Sequence, residues 1–448
     1  MSRGHPAALA VVALAVVAVA LAAPAAANPI DLFGFGARAQ GMGGAMTAGA
    51  DDASANYYNP ALLAGSDDIR IDIGYQAAQP FLSVDGRGQA VDAARGLAIG
   101  LAVPGTIAGA RIAVGAGLFL PDQQITRTRT LPSAQPRWTL YDNRPQRLFL
   151  AANLAIALPG HVSVGAGISY MSSTQGDVAL DGIVGFPDPT TSQLVLDMDI
   201  DLKTIRYPQA GVAWDATPWL TLAATYRGGF KLVLDQTFDI TGDIGTPGSA
   251  PLVDDGFLHL RSVAQDLFQP AQLTAAAHAQ LTPRLALAFD VSWHRWSVYE
   301  NPAAQIEIDL DIGDFNDLVT IPPQDPLPAP HFHDIVVPRL GVEWLARASA
   351  RRTWRVRGGY AYEPSPAPEQ FGATNYIDNQ KHTVSTGAGL ELPGLGSIIL
   401  RPVSIDLSLV ATFLPERSHH KLIAVDPVGD YRSSGRVLAA SLSSRWRF

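Results

Sequence analysis

From Asp68 onward the chain consists of segments of roughly eight to twelve residues in which large apolar side chains hold one parity and small or polar ones the other. Leu285, Leu287, Phe289, Val291 and Trp293 alternate with Ala286, Ala288, Asp290, Ser292 and His294. Val162, Val164, Ala166, Ile168 and Tyr170 alternate with Ser163, Gly165, Gly167 and Ser169, and Ile405, Leu407, Leu409, Ala411 and Phe413 with Ser404, Asp406, Ser408 and Thr412. A period of two with an unbroken apolar face suits a strand that meets lipid on one side and a lumen on the other. One such segment would fit a soluble sandwich equally well. Their number decides: strands are expected at 68–79, 94–103, 110–120, 146–158, 161–174, 202–216, 219–234, 271–281, 284–298, 334–345, 353–363, 382–391, 403–414 and 433–448, fourteen in all. An even count lets an antiparallel barrel close with both termini on one side.

The connections sort into two classes. Pro104–Gly109, Pro159-Gly160, Thr217-Pro218, Thr282-Pro283, Ala346–Arg352 and Leu392–Pro402 are short, whereas 121–145, 175–201, 235–270, 299–333 and 364–381 are long. Short turns on one side and long loops on the other are the outer-membrane arrangement. The last segment, with Leu438, Ala440, Leu442, Trp446 and Phe448 on one parity, ends on an aromatic residue suited to the membrane interface. Trp138, Trp219, Tyr299 and Trp344 are candidates for the aromatic girdles. The expected fold class is therefore all-β, a 14-stranded antiparallel transmembrane barrel over residues 68–448.

Residues 1–27 read as a removable signal peptide: Arg3 and His5, an apolar run from Ala7 to Ala23, then Pro24-Ala25-Ala26-Ala27. Beyond it no uninterrupted apolar stretch is long enough for a membrane-spanning helix. Cysteine is absent, which excludes disulfide scaffolds and thiol chemistry. A formal charge of -9, with 16% charged residues and no basic block, argues against a nucleic-acid partner. The cluster Glu307, Asp309, Asp311, Asp314 and Asp317 lacks the EF-hand spacing, and His331, His333, His419 and His420 lack further ligands at a recognisable interval, so no metal is expected. No G-x-S-x-G nucleophile elbow occurs, and no enzyme activity or cofactor is expected.

Residues 28–67 do not alternate. They are rich in Gly and Ala, with helix-capable pieces at Ala37–Met42 and Asp51–Asn56 and a turn at Asn59-Pro60. Too short for a domain, the segment is long enough to plug a barrel lumen, and Gly41, Gly43 and Gly44 would let its backbone approach the wall. A nucleotide-binding reading of these glycines fails because no βαβ unit surrounds them.

The stretch DDASANYYNPALLA, with Asn59, Pro60 and Ala61 as an NPA motif, resembles the FadL/OmpP1/TodX outer-membrane transporters of long-chain fatty acids and aromatic hydrocarbons. Trp296-Ser297 in DVSWHRWSVY, and the run from Pro338 through LGVEW and RGGYAYEPSPAPE to Asp378 and Lys381-His382, extend the resemblance over the mature chain. It implies a hatch at 28–67 inside the lumen, positioned by Asn59, Pro60, Ala61, Gly41, Gly43 and Gly44. It further implies capture of cargo by the outer loops, a pocket above the hatch, and sideways release through an irregular third strand. Gly109, Gly115 and Gly117 could supply that irregularity, or could be small lumen residues beneath the hatch.

Capture would fall to Ile183, Phe186, Leu194 and Leu196 in one long loop and to Phe257, Leu260, Leu267 and Phe268 in the next, where helix-like spacing places large side chains on one face. Packing of loop on loop is the plainer reading of the same residues. The expected function is passive uptake of fatty acids or other small hydrophobic compounds. The alternative is a barrel that binds or helps assemble envelope proteins. Expected partners are the cargo, outer-membrane lipid with lipopolysaccharide, and the barrel-insertion machinery during biogenesis.

Overall fold

A computed structural model describes residues 33–122, 135–141, 147–185, 188–246, 248–318, 321–322, 324–394, 400–422 and 426–448. The proposed signal peptide lies outside them, as does Phe186. Fourteen wall strands run in chain order: β1 (Arg70–Val84), β2 (Ala94–Ile107), β3 (Ala110–Pro121), β4 (Phe149–Leu158), β5 (Val162–Gly185), β6 (Gln193–Thr217) and β7 (Leu220–Arg227). They continue as β8 (Gln272–Thr282), β9 (Leu285–His294), β10 (Ile335–Ser349), β11 (Arg352–Glu363), β12 (Lys381–Leu392), β13 (Val403–His419) and β14 (Tyr431–Arg447). Each pairs antiparallel with its neighbours, and β14 returns to β1 through fifteen consecutive partners from Arg70↔Arg447 to Val84↔Ser433. The sheet is a closed barrel without an edge.

Side-chain parity follows the sequence pattern. On β9 Phe289 and Trp293 are exposed on the outside while Asp290, Ser292 and His294 are buried in the lumen. On β13 Ile405, Leu407, Leu409 and Phe413 face outward while Ser404, Asp406 and Ser408 are buried. A solvent-exposed row of this kind would be untenable in water and is stable against lipid. Trp219 and Trp344 sit exposed on the wall near the short turns. Trp138 and Tyr299, expected in a girdle, are buried instead in an aromatic cluster with Phe268, Trp296 and Phe332 that fills the outer lumen.

The outer connections depart most from expectation. β5 and β6 run on past the wall as one hairpin, Gly176–Ile183 pairing with Gln193–Ile200. Strand Phe230–Gly245 pairs in parallel with Gly176–Gly185 and antiparallel with strand Val253–Gln269, which pairs in turn with Gln305–Asp311. The expected helical face over Phe257–Phe268 is therefore strand, because pairing on both edges overrides a helix-like spacing of apolar residues. The expected strand 219–234 stops at Arg227; Gly228-Gly229 opposite Pro270-Ala271 interrupts the ladder, since proline has no N–H to donate.

Outward parity makes a direct prediction. Leu407→Arg should cost about 2–4 kcal/mol, whereas Ser408→Ala on the lumen side should cost about 1 kcal/mol, both read from urea unfolding in lipid vesicles. Equal costs would mean that the two faces of β13 are misassigned.

Candidate functional site: the hatch and the lumen it divides

Two short helices and a 3₁₀ turn make up the hatch: α1 (Ala37–Gly41), α2 (Ala55–Tyr58) and the turn Pro60–Gly65. Asn59 starts the turn. Its Oδ1 accepts from Ala61 N at 3.0 Å, and Pro60 occupies the first turn position, where no N–H is needed. The same side chain ties the hatch together, its Nδ2 donating to the Thr47 carbonyl at 2.8 Å and to the wall carbonyl of Val212 at 3.3 Å. Asn56 does likewise, donating to Ala53 at 3.0 Å and to the Leu101 carbonyl on β2 at 2.9 Å.

Such close approach is possible because the facing wall lacks side chains. A methyl at Gly165 would lie 2.5 Å from Ala61 N, and one at Gly115 or Gly211 would collide with Asn56 or Asn59. Across the lumen a methyl at Gly341 would lie 2.7 Å from the Met42 carbonyl, and one at Gly359 would meet the Gly43 backbone. Of the predicted hatch glycines, Gly43 and Gly44 have φ of 65° and 76°, a turn that L side chains adopt at a cost, and Gly41 lies against Gly387.

Ion pairs complete the attachment. Arg38 of α1 reaches Asp51 at 2.5 Å and Glu343 on β10 at 3.1 Å. Arg357 bridges Glu343 and Asp406, each at 2.5 Å, and Arg445 on β14 holds Asp52 at 2.7 Å. Burying these groups is expensive, so removing one partner strands a charge.

Above the hatch lies a chamber of about 140 Å³. Phe33, Gly43, Gly44 and Thr47 of the hatch segment line it, as does Val337 of the wall, and the rest of the wall lining is polar: Arg227, Gln272, Asp290, Ser292, His294, Arg339 and Glu363. Arg339 donates to Ser292 Oγ at 2.7 Å and, among the described residues, meets no carboxylate at ion-pair distance. His294 Nε2 is buried with no hydrogen-bond partner among the described residues. Arg227 donates to the Tyr57 carbonyl at 2.6 Å and lies 4.0 Å over the Tyr57 ring. Tyr58 also lines the chamber, and burial pushes its phenol up to about 12, which keeps it a neutral donor at physiological pH. Below the hatch a second cavity, about 490 Å³, reaches the short turn at Pro283-Arg284.

The third strand is not irregular. β3 pairs with β2 from Ile107↔Ala110 to Gly96↔Pro121 and with β4 from Ile112↔Ile156 to Phe119↔Phe149, with no register shift on either side. Gly115 and Gly117 receive Asn56 of the hatch, and Gly109 (φ 83°) with Ala108 (φ 51°) forms the two-residue turn after β2. The glycines thus face the plug and form a turn, and among the described residues the ladder of β3 shows no register shift at them. Leu267 and Phe268 are buried in the aromatic cluster, Phe257 and Leu260 are half-buried in the outer sheet, Ile183 is half-buried, and Leu194 and Leu196 are exposed on the outer hairpin. Arg339 and His294 were not singled out from the sequence, although their place on lumen parity was a usable signal. Among the described residues no group of three or more His, Asp or Glu is placed to hold a metal.

A closed barrel of fourteen strands, apolar outside and plugged by its own N-terminal segment, is an outer-membrane channel. The family profile "Outer membrane protein transport protein (OMPP1/FadL/TodX)" matches residues 15–393, and the chain belongs to that family. Among solved structures it is similar to a Pseudomonas aeruginosa FadL homologue, at 17% identity over 92% of this chain and 98% of the other, with a TM-score of 0.56. It is also similar to the monoaromatic hydrocarbon channel CymD (18%, 93% and 98%, 0.53) and to the P. putida toluene transporter TodX (17%, 93% and 99%, 0.52). No curated protein matches it. The molecule is a channel for hydrophobic small molecules in the outer membrane, not an enzyme.

The glycine sockets are testable through the hatch itself. Gly359→Ala should displace Gly43 and expose the peptide bond after Arg38 to trypsin in detergent-solubilised protein, whereas Gly88→Ala, where a methyl meets nothing within 4 Å, should leave it protected. Arg357→Met should cost about 3–5 kcal/mol in urea unfolding by stranding Asp406, while Glu343 keeps Arg38, and a cost under about 1 kcal/mol would mean the network is solvated.

Proposed function

We propose that the cargo is amphipathic, a long-chain fatty acid or a close chemical relative, held with its carboxylate in the chamber above the hatch. One observation carries the reading: a buried polar chamber, lined also by Asp290 and Glu363, holds an Arg339 that makes no ion pair among the described residues, and it adjoins an apolar aromatic cluster. A carboxylate would accept from the guanidinium and from the Tyr58 hydroxyl, and the alkyl chain would lie against Val337, Phe268 and Trp296. A toluene-sized hydrocarbon gains nothing from those polar groups and would leave them to be desolvated without compensation. Capture belongs to the outer hairpin, where Leu194 and Leu196 stand exposed with Val195 and Met198, an apolar landing surface for a molecule that costs roughly 0.8 kcal/mol per CH₂ to hold in water. Transfer is passive, driven by the gradient of cargo. Outer-membrane lipid and lipopolysaccharide surround the wall, and the barrel-insertion machinery acts on it during assembly.

Uptake of labelled oleate and labelled toluene by a strain lacking the gene, and by the same strain complemented, tests this. Saturable, complementation-dependent oleate uptake is expected, and Arg339→Met should weaken it about tenfold, the loss of one charge-assisted hydrogen bond, without altering toluene. Complementation of toluene but not oleate would exclude the carboxylate reading. No difference for either, with the barrel folded in the membrane, would favour a role in binding or assembling envelope proteins.

A further inference from the structure

The short-turn rim carries a charged feature that the lumen does not use. On two of its turns exposed arginines are neutralised: Arg111 meets Asp67 at 2.6 Å and Arg401 meets Asp68 at 3.4 Å. The β10–β11 hairpin is different. From Trp344 to Trp354 it holds Arg347, Arg351 and Arg352 and no acidic residue, and all three arginines are exposed. Among the described residues none of the three makes an ion pair, and Glu391 of the neighbouring strand is engaged by Arg355 at 3.4 Å. Arg284 of the adjoining turn lines the lower cavity instead.

A register shift decides where these arginines stand. Trp344, opposite Val356, faces the membrane, and Leu345, opposite Arg355, lines the lower cavity. Ala346 is then passed over, and the next pair is Arg347↔Trp354. The bulge turns Arg347 to the membrane side, where Trp344 and Trp354 are 50% and 38% exposed. Ser349↔Arg352 follows on the same face, so Arg352 is the diagonal neighbour of Arg347 across the hairpin, about 7–8 Å away at the backbone. The Ser349 hydroxyl fixes the turn, donating to the Arg352 carbonyl at 3.0 Å and accepting from its N–H at 3.3 Å. β9 has already ended, since its first residue, Leu285, pairs with Trp344. Arg347 lies two ladder pairs past that level, about 7 Å further toward the headgroups, and Arg352 lies beyond it.

We propose that this hairpin is a clamp for an anionic phospholipid of the periplasmic leaflet, its phosphate held between Arg347 and Arg352 and its acyl chains lying on Trp344, Trp354 and Val356. Two guanidiniums at this spacing repel each other unless an anion lies between them, and the planar fork of each matches phosphate oxygens bidentately. Their membrane parity favours a lipid over a soluble acidic protein, because the face that carries them is continuous with the tryptophans of the wall. A zwitterionic headgroup brings its own ammonium, so a lipid with net negative charge, such as phosphatidylglycerol, is preferred. The site lies outside the lumen and holds whatever the cargo.

Native mass spectrometry of the full chain in non-ionic detergent, titrated with phosphatidylglycerol or with phosphatidylethanolamine of the same acyl chains, tests the clamp. The parent should retain phosphatidylglycerol about tenfold more tightly, the order expected of two arginines at a lipid surface. Arg347→Gln combined with Arg352→Gln should abolish that preference, whereas Arg111→Gln combined with Arg401→Gln, on the same rim, should keep it. Tryptophan fluorescence in phosphatidylcholine vesicles reads the site with its arginines intact. Phosphatidylglycerol brominated on its acyl chains should quench more than the brominated phosphatidylethanolamine, and Trp354→Phe, unlike Trp219→Phe, should remove the excess. A preference that survives loss of Arg347 and Arg352, or that falls equally with loss of Arg111 and Arg401, would overturn the clamp. No preference in the parent would overturn it too, and would leave the patch to an acidic periplasmic protein.

Discussion

Hydrocarbon offers no hydrogen-bond partner, and that single constraint organises the molecule. Every wall strand must satisfy its backbone against two neighbours, so the sheet has to return on itself, and the β14–β1 seam does so without a register shift. With the outer parity reserved for lipid, every polar side chain of the wall is directed inward. A ring of fourteen strands encloses more space than those side chains fill, and the interior must be occupied by something that accepts their charges and spare donors. The hatch is that occupant, and its Arg38, Asp51 and Asp52 are complements of Glu343 and Arg445 across the gap.

Two unlike modes of attachment result. Where the hatch touches glycine, backbone lies on backbone and position is fixed by shape; where it touches Glu343, Asp406 or Arg445, position is fixed by charge in a medium that punishes an unpaired ion. Between these anchors the chain from Met46 to Ala50 has methyl contacts, two hydrogen bonds at Thr47 and one from Arg38 to the Gly49 carbonyl. The plug is thus attached unevenly: by shape and charge at its edges, and mainly by small side chains where it separates the upper cavity from the lower.

The barrel was legible in the sequence because the rule that makes it is local. Parity alternation at Leu285–His294 or Ile405–Phe413 reflects lipid on one side, and that signal survives in single strands. Conformation at Phe257–Phe268 was not legible. There the decision is made by partners far along the chain, Phe230–Gly245 and Gln305–Asp311, which no local spacing announces. Gly115 shows the same limit from another side: a glycine in a strand signals either a break or a close neighbour, and only the placement of Asn56 decides between them. The hatch motif Asn59-Pro60-Ala61 was found by resemblance, while its physical task, capping a turn and clamping Thr47, required the geometry.

The seam also orders events in time. Its partners, such as Arg70 and Arg447, are the two ends of the wall in sequence, so closing it forms the longest loop the barrel contains, and loop-closure entropy makes it the slowest pairing to find. Until it zips, β1 and β14 are bare edges, able to pair with any other exposed strand. Arg445 of β14 and Asp52 of the hatch, which directly precedes β1, attract each other across that opening. The plug thus spans the seam as well as the lumen: the segment that precedes the first wall strand holds the last one by an ion pair.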